Sequence, residues 1–260
     1  MPEWALCPME RFAEYIKQNE ELLHLSIHGL SMLRGVPRLV AAVADIKKED
    51  ETIKRTMVEK AEADAAFAQR EIERGFPLLH AHALVANWAA LEATVEDAMV
   101  AFLVNEPEIL RNEAFSKIKV SLADFTVLEP EERMWHLVSE LERNQGVARK
   151  YGVDRFEALL EPFALGGAVS PETRKDAREM HHIRNVLVHR AGFADRRIVE
   201  GCPWLNFRLN QPVTVSNEAL QRYDGSLIRY STELVCRFGT RYGIDLRAEV
   251  EEPTALDYPS

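Results

Sequence analysis

Cysteine is scarce in this chain, and the few cysteines lie far apart. Cys7, Cys202 and Cys236 are the three in 260 residues, and no two of them form a Cys-x-x-Cys pair. This pattern provides neither a disulfide framework nor the paired thiolates of a structural zinc site. It is typical of a protein from a reducing compartment, so we expect a cytoplasmic protein.

Glycine, proline and long apolar runs are also lacking. Twelve glycines and twelve prolines are too few for a loop-rich all-β protein of this length. The chain does not open with a basic segment followed by an apolar one, so we expect no signal peptide. The most apolar stretches are interrupted by polar or charged side chains, which argues against a membrane span, at His24, His28, Arg34, Arg38, Asn87, Glu92 and Glu96.

An excess of positive charge is missing as well. The formal net charge of −10 argues against general electrostatic capture of nucleic acid or of an anionic membrane. Residues 171–199 are the exception, since seven Arg and Lys there outnumber four Asp and Glu. A basic segment in an acidic protein indicates one anionic ligand bound at one place, although a solvated charged face is the more common explanation.

Hydrophobic periodicity predicts an all-α fold. Helices are expected at 8–33, 78–104 and 217–238, with one long helix or two tandem helices at 38–74 and shorter ones around 112–120, 130–145 and 154–163. Phe207, Leu209, Val213 and Val215 alternate with other residues, which predicts a minor β element near the C-terminus or an extended arm. We divide the chain into an N-terminal helical extension (1–77), a helical domain (78–243) and an acidic, frayed tail (244–260).

The most informative stretch is the helix that Ser170 opens. Ser170 is a suitable N-cap, Pro171 suits the first helical position, and Gly192 offers a stop. His181, Asn185 and His189 are spaced i, i+4 and i+8, so they share one face of this helix. Arg178 extends the same stripe. A polar, titratable stripe on a half-buried helix is unusual and makes this segment the candidate site.

Several kinds of site are excluded by spacing and by missing motifs. His181 and His189 are two turns apart, roughly 12 Å at 1.5 Å per residue, which is too far to share an ion. The chain contains no Gly-x-Ser-x-Gly elbow, no P-loop and no dinucleotide fingerprint. We therefore expect neither a metal nor a cofactor.

Phosphodiester chemistry without a metal suits the residue types that remain. Histidine, with an unperturbed pKa near 6.5, can take or give a proton near neutral pH. Arginine carries a permanent charge that can bind a phosphate. Arg184, Asn185 and His189 place a cation, an amide and an imidazole within about one and a half turns.

The segment Arg184-Asn185-Val186-Leu187-Val188-His189 resembles the Arg-Asn-x-x-x-His signature of the HEPN superfamily. Residues 84–92 are similar to an early core helix of several HEPN families. The resemblance covers roughly residues 78–240 and leaves residues 1–77 outside it. It implies a HEPN-like helical bundle that forms a homodimer, in which the two motif helices line a shared cleft.

The resemblance also implies a function. Many such proteins are metal-independent endoribonucleases that leave 2′,3′-cyclic phosphate and 5′-hydroxyl ends, and act as toxins or as antiviral or stress-defence effectors, some with an antitoxin or another partner protein. By position, Arg184 and His189 would be catalytic and Asn185 supporting. Glu92 is our candidate for the acidic residue that often joins the site from the early helix. From the shared helix and the local charge we add supporting and RNA-binding candidates: His181, His182, Arg178, Arg190, Arg196 and Arg197.

Two other functions remain open. One is a non-catalytic HEPN-like dimeric adaptor or nucleotide- or RNA-sensing module, which the net charge of −10 favours. The other is a purely structural helical protein whose N-terminal extension recruits a partner. It predicts that removal of residues 1–77 abolishes function while changes in the motif have no effect.

Overall fold

The computed structural model describes residues 1–247, and this part of the chain is helical almost throughout, which confirms the all-α prediction. Five short 3-10 turns lie between or beside the helices. The α-helices are α1 (Glu3–Met32), α2 (Val36–Lys47), α3 (Glu51–Arg74), α4 (Pro77–Asn105), α5 (Glu113–Ser116), α6 (Leu122–Val127), α7 (Pro130–Asn144), α8 (Val153–Leu160), α9 (Pro171–His189), α10 (Arg196–Gly201) and α11 (Asn217–Arg241).

Helix α4 is the centre of the core. Its apolar stripe is fully buried, with Trp88, Leu91, Val95, Met99 and Phe102 showing no exposed side-chain surface. Helices α1, α7, α9 and α11 all pack against it. The apolar side chains on α4 recur every three or four residues, so one row of them can contact several neighbouring helices.

Helix α1 shares this core, and it begins at Glu3, five residues before the predicted start. Pro8 lies inside the helix, where proline removes one backbone hydrogen bond. Packing offsets this cost, because Ala5 and Met9 are buried and the ring of Trp4 meets Phe102 edge to face, with centroids 5.1 Å apart. Tertiary contacts therefore extend α1 beyond the boundary that local preference indicates.

Residues 38–74 form two tandem helices, the second of the two predicted arrangements. The chain turns at Lys48, which has a φ of 52°, and Asp50 then caps α3 by accepting a hydrogen bond from the backbone N–H of Thr52 at 2.8 Å. Helices α2 and α3 pack mainly against each other. Large apolar side chains remain exposed on this hairpin, at Leu39, Val43, Ile46, Ile53, Met57 and Phe67.

The minor β element is not confirmed. Within residues 1–247 there is no strand, and the one trace of β pairing is an isolated antiparallel bridge between Phe193 and Pro212. Asn206 and Asn210 have φ values of 55° and 61°, which interrupt an extended chain on both sides of Leu209. The predicted frayed tail, 244–260, falls outside the described residues from 248 onward.

Helix α9 is positioned by its own cap and by neighbours on several sides. Ser170 Oγ accepts a hydrogen bond from the backbone N–H of Thr173 at 3.1 Å, which confirms the predicted N-cap. The helix contacts α4, α8, α10 and α11.

In the described part of the chain, no helix is both long and apolar enough to cross a membrane.

Candidate functional site

Arg184 is held in a hydrogen-bonded network at the surface between α4 and α9. It donates from Nη2 to Glu92 Oε2 at 3.2 Å and from Nη1 to Asn185 Oδ1 at 3.0 Å. The Arg184 side chain keeps 26% of its surface exposed, whereas Glu92 keeps 14%. The guanidinium is therefore fixed in orientation and still reachable from solvent.

Glu92, the acid that sequence reasoning selected, accepts hydrogen bonds from two arginines. Arg155 on α8 donates to Glu92 Oε1 at 2.8 Å and to Glu142 Oε1 at 3.0 Å. Arg155 therefore links α4, α7 and α8 behind Arg184, a role that the sequence pattern did not reveal. Glu96 lies one turn further along α4, and burial, then the nearby Glu142 carboxylate, raises its pKa.

His181 contacts Asn185 and is electrically neutral at pH 7. Its Nε2 lies 3.0 Å from Asn185 Nδ2, and its ring meets Trp88 edge to face. Burial, together with the charges of His182, Arg155 and Arg184, lowers the pKa of His181 to about 4. His181 is therefore suited to accepting the Asn185 amide hydrogen bond and orienting it, not to carrying protons near neutral pH.

His182 lies outside the Arg184 network. It is 3% exposed and is packed so closely against Gly201 that an added Cβ there would lie 2.5 Å from Nε2. Its ring stacks on Tyr151 with centroids 4.8 Å apart. Burial, and then the charges of Arg178 and Arg197, lowers its pKa. The structure thus places His182 in the packing between α9 and α10, outside the hydrogen bonds of Arg184, with its ring edge to face against that of His181 at a centroid distance of 5.7 Å.

His189 is the last residue of α9, and its side chain is exposed. Five residues separate it from Arg184, so the two side chains point about 140° apart around the helix axis. They therefore diverge within one chain. The four arginines proposed to bind RNA also have exposed side chains: Arg178, Arg190, Arg196 and Arg197. Among them, Arg196 lies 3.8 Å from Glu200.

A second polar network on α9 was not foreseen from the sequence. Asp176 and Glu179 are each 1% exposed, although both are acids. Arg222 on α11 donates to both of them, reaching Glu179 at 2.7 Å. Ser226 donates to Asp176 at 2.6 Å, and Tyr223 donates to Glu179 at 2.9 Å. Acids in the first half of a helix usually face solvent, so the sequence offered no signal for this burial.

An apolar cleft of about 630 Å³ lies beside the end of α9. The first half of α4, the last turn of α9 and the loops at 191–193 and 212–214 line it. Three large apolar side chains at this cleft are about half exposed: Leu78, Val188 and Phe193. Adjoining apolar side chains exposed in this way are typical of a surface that another protein covers.

The site has neither a metal-binding cluster within residues 1–247 nor a similar known protein that would identify it. No group of three or more His, Cys, Asp or Glu side chains within residues 1–247 is placed to hold a metal ion. Comparisons with protein-family models, with curated proteins and with solved structures find no match to this chain.

Proposed function

We propose that the protein is a metal-independent endoribonuclease of HEPN type, with an active site shared between the two subunits of a homodimer. In this proposal it cleaves RNA as a toxin or as an antiviral or stress-defence effector in the cytoplasm. Arg184 and His189 are the catalytic residues and Asn185 supports them. Glu92 and His181 are positioning residues that act through Arg184 and Asn185.

The observation that carries this proposal is the held but reachable guanidinium of Arg184. Glu92 and Asn185 fix its position, and about a quarter of the side chain faces solvent. A fixed cation costs little reorganisation when negative charge develops on a phosphate. The exposed imidazole of His189 on the same helix can exchange protons.

The divergence of the two side chains supports a dimeric site. Arg184 and His189 of one chain point about 140° apart around the helix axis, which does not favour their meeting at one phosphate. In a symmetric dimer, however, Arg184 of one chain can face the partner's His189. The apolar cleft beside the end of α9 gives a second copy a surface to cover.

The reaction follows from these groups. One imidazole takes the proton from a ribose 2′-hydroxyl, whose oxygen then forms a bond to the adjacent phosphorus. The bond from phosphorus to the 5′-oxygen breaks, and the second imidazole of the dimer gives that oxygen a proton. The guanidinium of Arg184 stabilises the charge on the phosphate oxygens. The products are a 2′,3′-cyclic phosphate and a 5′-hydroxyl end.

One observation favours the alternative, a non-catalytic dimeric adaptor or nucleotide- or RNA-sensing module. Glu92 already pairs with Arg184 at 3.2 Å, so a phosphate must compete with a carboxylate for the same guanidinium. The net charge of −10 also weakens the attraction of long RNA.

The deciding experiment measures RNA cleavage in excess EDTA and types the ends of the products. We expect the wild type to cut and to leave cyclic phosphates, and His189→Ala to cut about 10²–10⁴-fold more slowly, because a positioned general acid or base contributes that much. His24→Ala is the matched control, since His24 is an exposed histidine on α1. It should cut like the wild type.

Stability and assembly are measured on the same samples. Because His189 is exposed, its replacement should change the free energy of unfolding by no more than about 0.5 kcal/mol. A folded dimer that does not cut RNA would favour the adaptor or sensing module. A monomer that cuts RNA would contradict the shared site.

A further inference from the structure

The face of α9 that carries Asn185 continues toward the start of the helix as a row of polar and basic side chains. Arg174, Arg178, His181, Asn185 and His189 are spaced i, i+4, i+7, i+11 and i+15, so they lie along one side of the helix. From first to last the row measures roughly 22 Å. Its basic members, Arg174 and Arg178, are both exposed.

A cleft of about 760 Å³ adjoins the Arg174 end of this row. We call it the Tyr151 cleft, and its lining includes Arg149, Lys150, Tyr151, Asp154, Glu157 and Arg174. It lies between the segment that leads into α8, the loop before α9 and the first turns of α9. It is separate from the apolar cleft at the other end of the helix.

Tyr151 provides an aromatic surface at the mouth of this cleft. The side chain keeps 40% of its surface exposed. His182 stacks on the ring at 4.8 Å, and the guanidinium of Arg178 lies 5.8 Å from the ring centroid. His181 also meets the ring, edge to face at 5.6 Å. These contacts from α9 hold Tyr151 in place, while its exposed part stays reachable from solvent.

The charges around the cleft favour an anion. Two of its three acids are paired: Asp154 accepts from Arg174 at 2.6 Å, and Glu157 accepts from Arg237 at 2.8 Å. Glu161 is the third acid of the lining. Arg149 and Lys150 are both exposed, and their two positive charges outnumber the one negative charge of Glu161. Arg178, outside the lining, adds a positive charge at the Tyr151 ring.

We propose that the Tyr151 cleft binds an unpaired nucleotide, with its base stacked on Tyr151 and Arg178 and its phosphate near Arg149 and Lys150. Aromatic rings and arginine planes that stack single bases, with basic residues along the backbone, are the usual means of binding single-stranded RNA. This inference rests on the proposed function in one respect, since the nucleotide would belong to the RNA strand that is cut.

The length of α9 sets the distance between the Tyr151 cleft and the proposed catalytic residue His189. Eleven residues separate Arg178 from His189, which is roughly 16 Å along α9. At a stacked rise of about 3.4 Å, this distance corresponds to about five nucleotides. The stacked base should therefore lie about five nucleotides from a scissile bond held at His189 of the same chain, and RNAs shorter than that should lose the contribution of Tyr151.

The test measures binding apart from cleavage, in the full-length His189→Ala protein with EDTA. The ligand is a fluorescent single-stranded RNA of about ten nucleotides, which is longer than the spacing between the sites. Removing the ring by Tyr151→Ala should weaken binding about 5- to 150-fold, the range for one base stacked on an aromatic side chain. Tyr151→Phe keeps the ring and should bind within about two-fold of the parent.

Tyr15 supplies the matched control, because it is a tyrosine on α1 that is 44% exposed. Tyr15→Ala should leave binding unchanged. Equal binding by the Tyr151→Ala and Tyr15→Ala proteins would overturn the proposal. Because Tyr151→Ala removes a ring that packs on both His181 and His182, RNA carrying 5-iodouridine is also crosslinked to the unaltered Tyr151 protein. A crosslink at Tyr151 supports the cleft, and crosslinks confined to other segments contradict it.

Two further arms identify the ligand and separate this inference from the proposed function. If ATP binds alone and displaces the RNA in a Tyr151-dependent manner, the nucleotide site stands and its ligand is a free nucleotide. If neither RNA nor ATP binds through Tyr151, the proposal fails, and a protein becomes the ligand to consider. Tyr151-dependent binding without any cleavage by the wild type would contradict the endoribonuclease and support nucleotide binding in the Tyr151 cleft. Cleavage by the wild type, with RNA binding unchanged by Tyr151→Ala, would support the endoribonuclease and contradict the nucleotide site.

Discussion

Arg222→Met tests whether one arginine offsets the free-energy cost of burying two carboxylates on α9. Asp176 and Glu179 are each 1% exposed, and Arg222 donates hydrogen bonds to both of them. Methionine keeps much of the length of the side chain and removes its charge and donors. The variant therefore leaves the two carboxylates with the hydroxyls of Tyr223 and Ser226 and the indole N–H of Trp204 as donors, and without a guanidinium.

The expected cost is about 2–3 kcal/mol in the free energy of unfolding. Removing one partner of a fully buried ion pair costs about 3–5 kcal/mol, because the other charge stays buried and uncompensated. Two features reduce this figure here: Arg222 itself is 40% exposed, and Lys175 Nζ remains 4.0 Å from Glu179. For a protein of this size, the loss corresponds to a fall in Tm of about 4–12 °C.

Acid should relieve part of this loss. Burial raises the pKa of Asp176 in the folded protein, and Arg222 opposes that rise. Without Arg222 the pKa rises further, so the folded state binds the proton more tightly than the unfolded state does. The penalty is then present above the folded pKa and is relieved as the pH falls through it toward the ordinary value for aspartate, about 3.9.

The assay is urea unfolding of the wild type and Arg222→Met at neutral and mildly acidic pH. Arg174→Met is the control, because Arg174 pairs with Asp154 at the surface, where the side chains are 48% and 44% exposed. It should cost less than about 1 kcal/mol at either pH. Equal losses in the two variants, or a loss in Arg222→Met that does not shrink in acid, would refute the reasoning.

Two further changes test packing and positioning. Gly201→Ala should lower the free energy of unfolding by about 1–3 kcal/mol, because its Cβ would lie 2.5 Å from the buried His182 ring. Gly29→Ala, in a helical position with no atom within 4 Å, should raise it by about 0.5–1 kcal/mol, and chemical denaturation of both proteins checks the pair. Glu92→Gln should lower kcat for RNA cleavage by about ten-fold or more with little change in KM, because it loosens Arg184 without removing it. A fall in KM with an unchanged kcat would instead mean that Glu92 mainly competes with the phosphate.

Helices with strong periodicity were predictable, and their limits were set by packing. The buried row on α4 and the Ser170 cap of α9 follow from spacing and residue type alone. The early start of α1 does not, because Pro8 suggests a boundary that the burial of Ala5 and Met9 overrides. Local preference carries no information about such long-range contacts.

The predicted β element is not confirmed, for a related reason. Alternating Phe207, Leu209, Val213 and Val215 fit a strand, but a strand needs a partner that stays extended. The backbone of this segment instead bonds to residues 192–194: Val213 donates to Gly192 at 2.8 Å, and Ala194 donates to Gln211 at 2.9 Å. Pro212 has no N–H with which to extend such pairing.

The candidate site could be predicted in part. Helix spacing led to Asn185 and His181, and the phosphodiester chemistry and the motif led to Arg184. The structure brings these three side chains into one network with Glu92. Spacing could not show that Arg155 on α8 supports Glu92, nor that His182 turns away toward Tyr151. These facts depend on how separate helices meet, and no pattern within a single helix contains that information.

The two networks on α9 have a consequence for insertions and deletions in this helix. Glu179 is held by α11, and Arg184, five residues later, is held by α4. Adding or removing one residue between them would turn one half of the helix by about 100° relative to the other. Either the carboxylate or the guanidinium would then leave its partner, whatever the inserted residue. The length of the segment between Glu179 and Arg184 is therefore under as strong a constraint as the identity of either side chain.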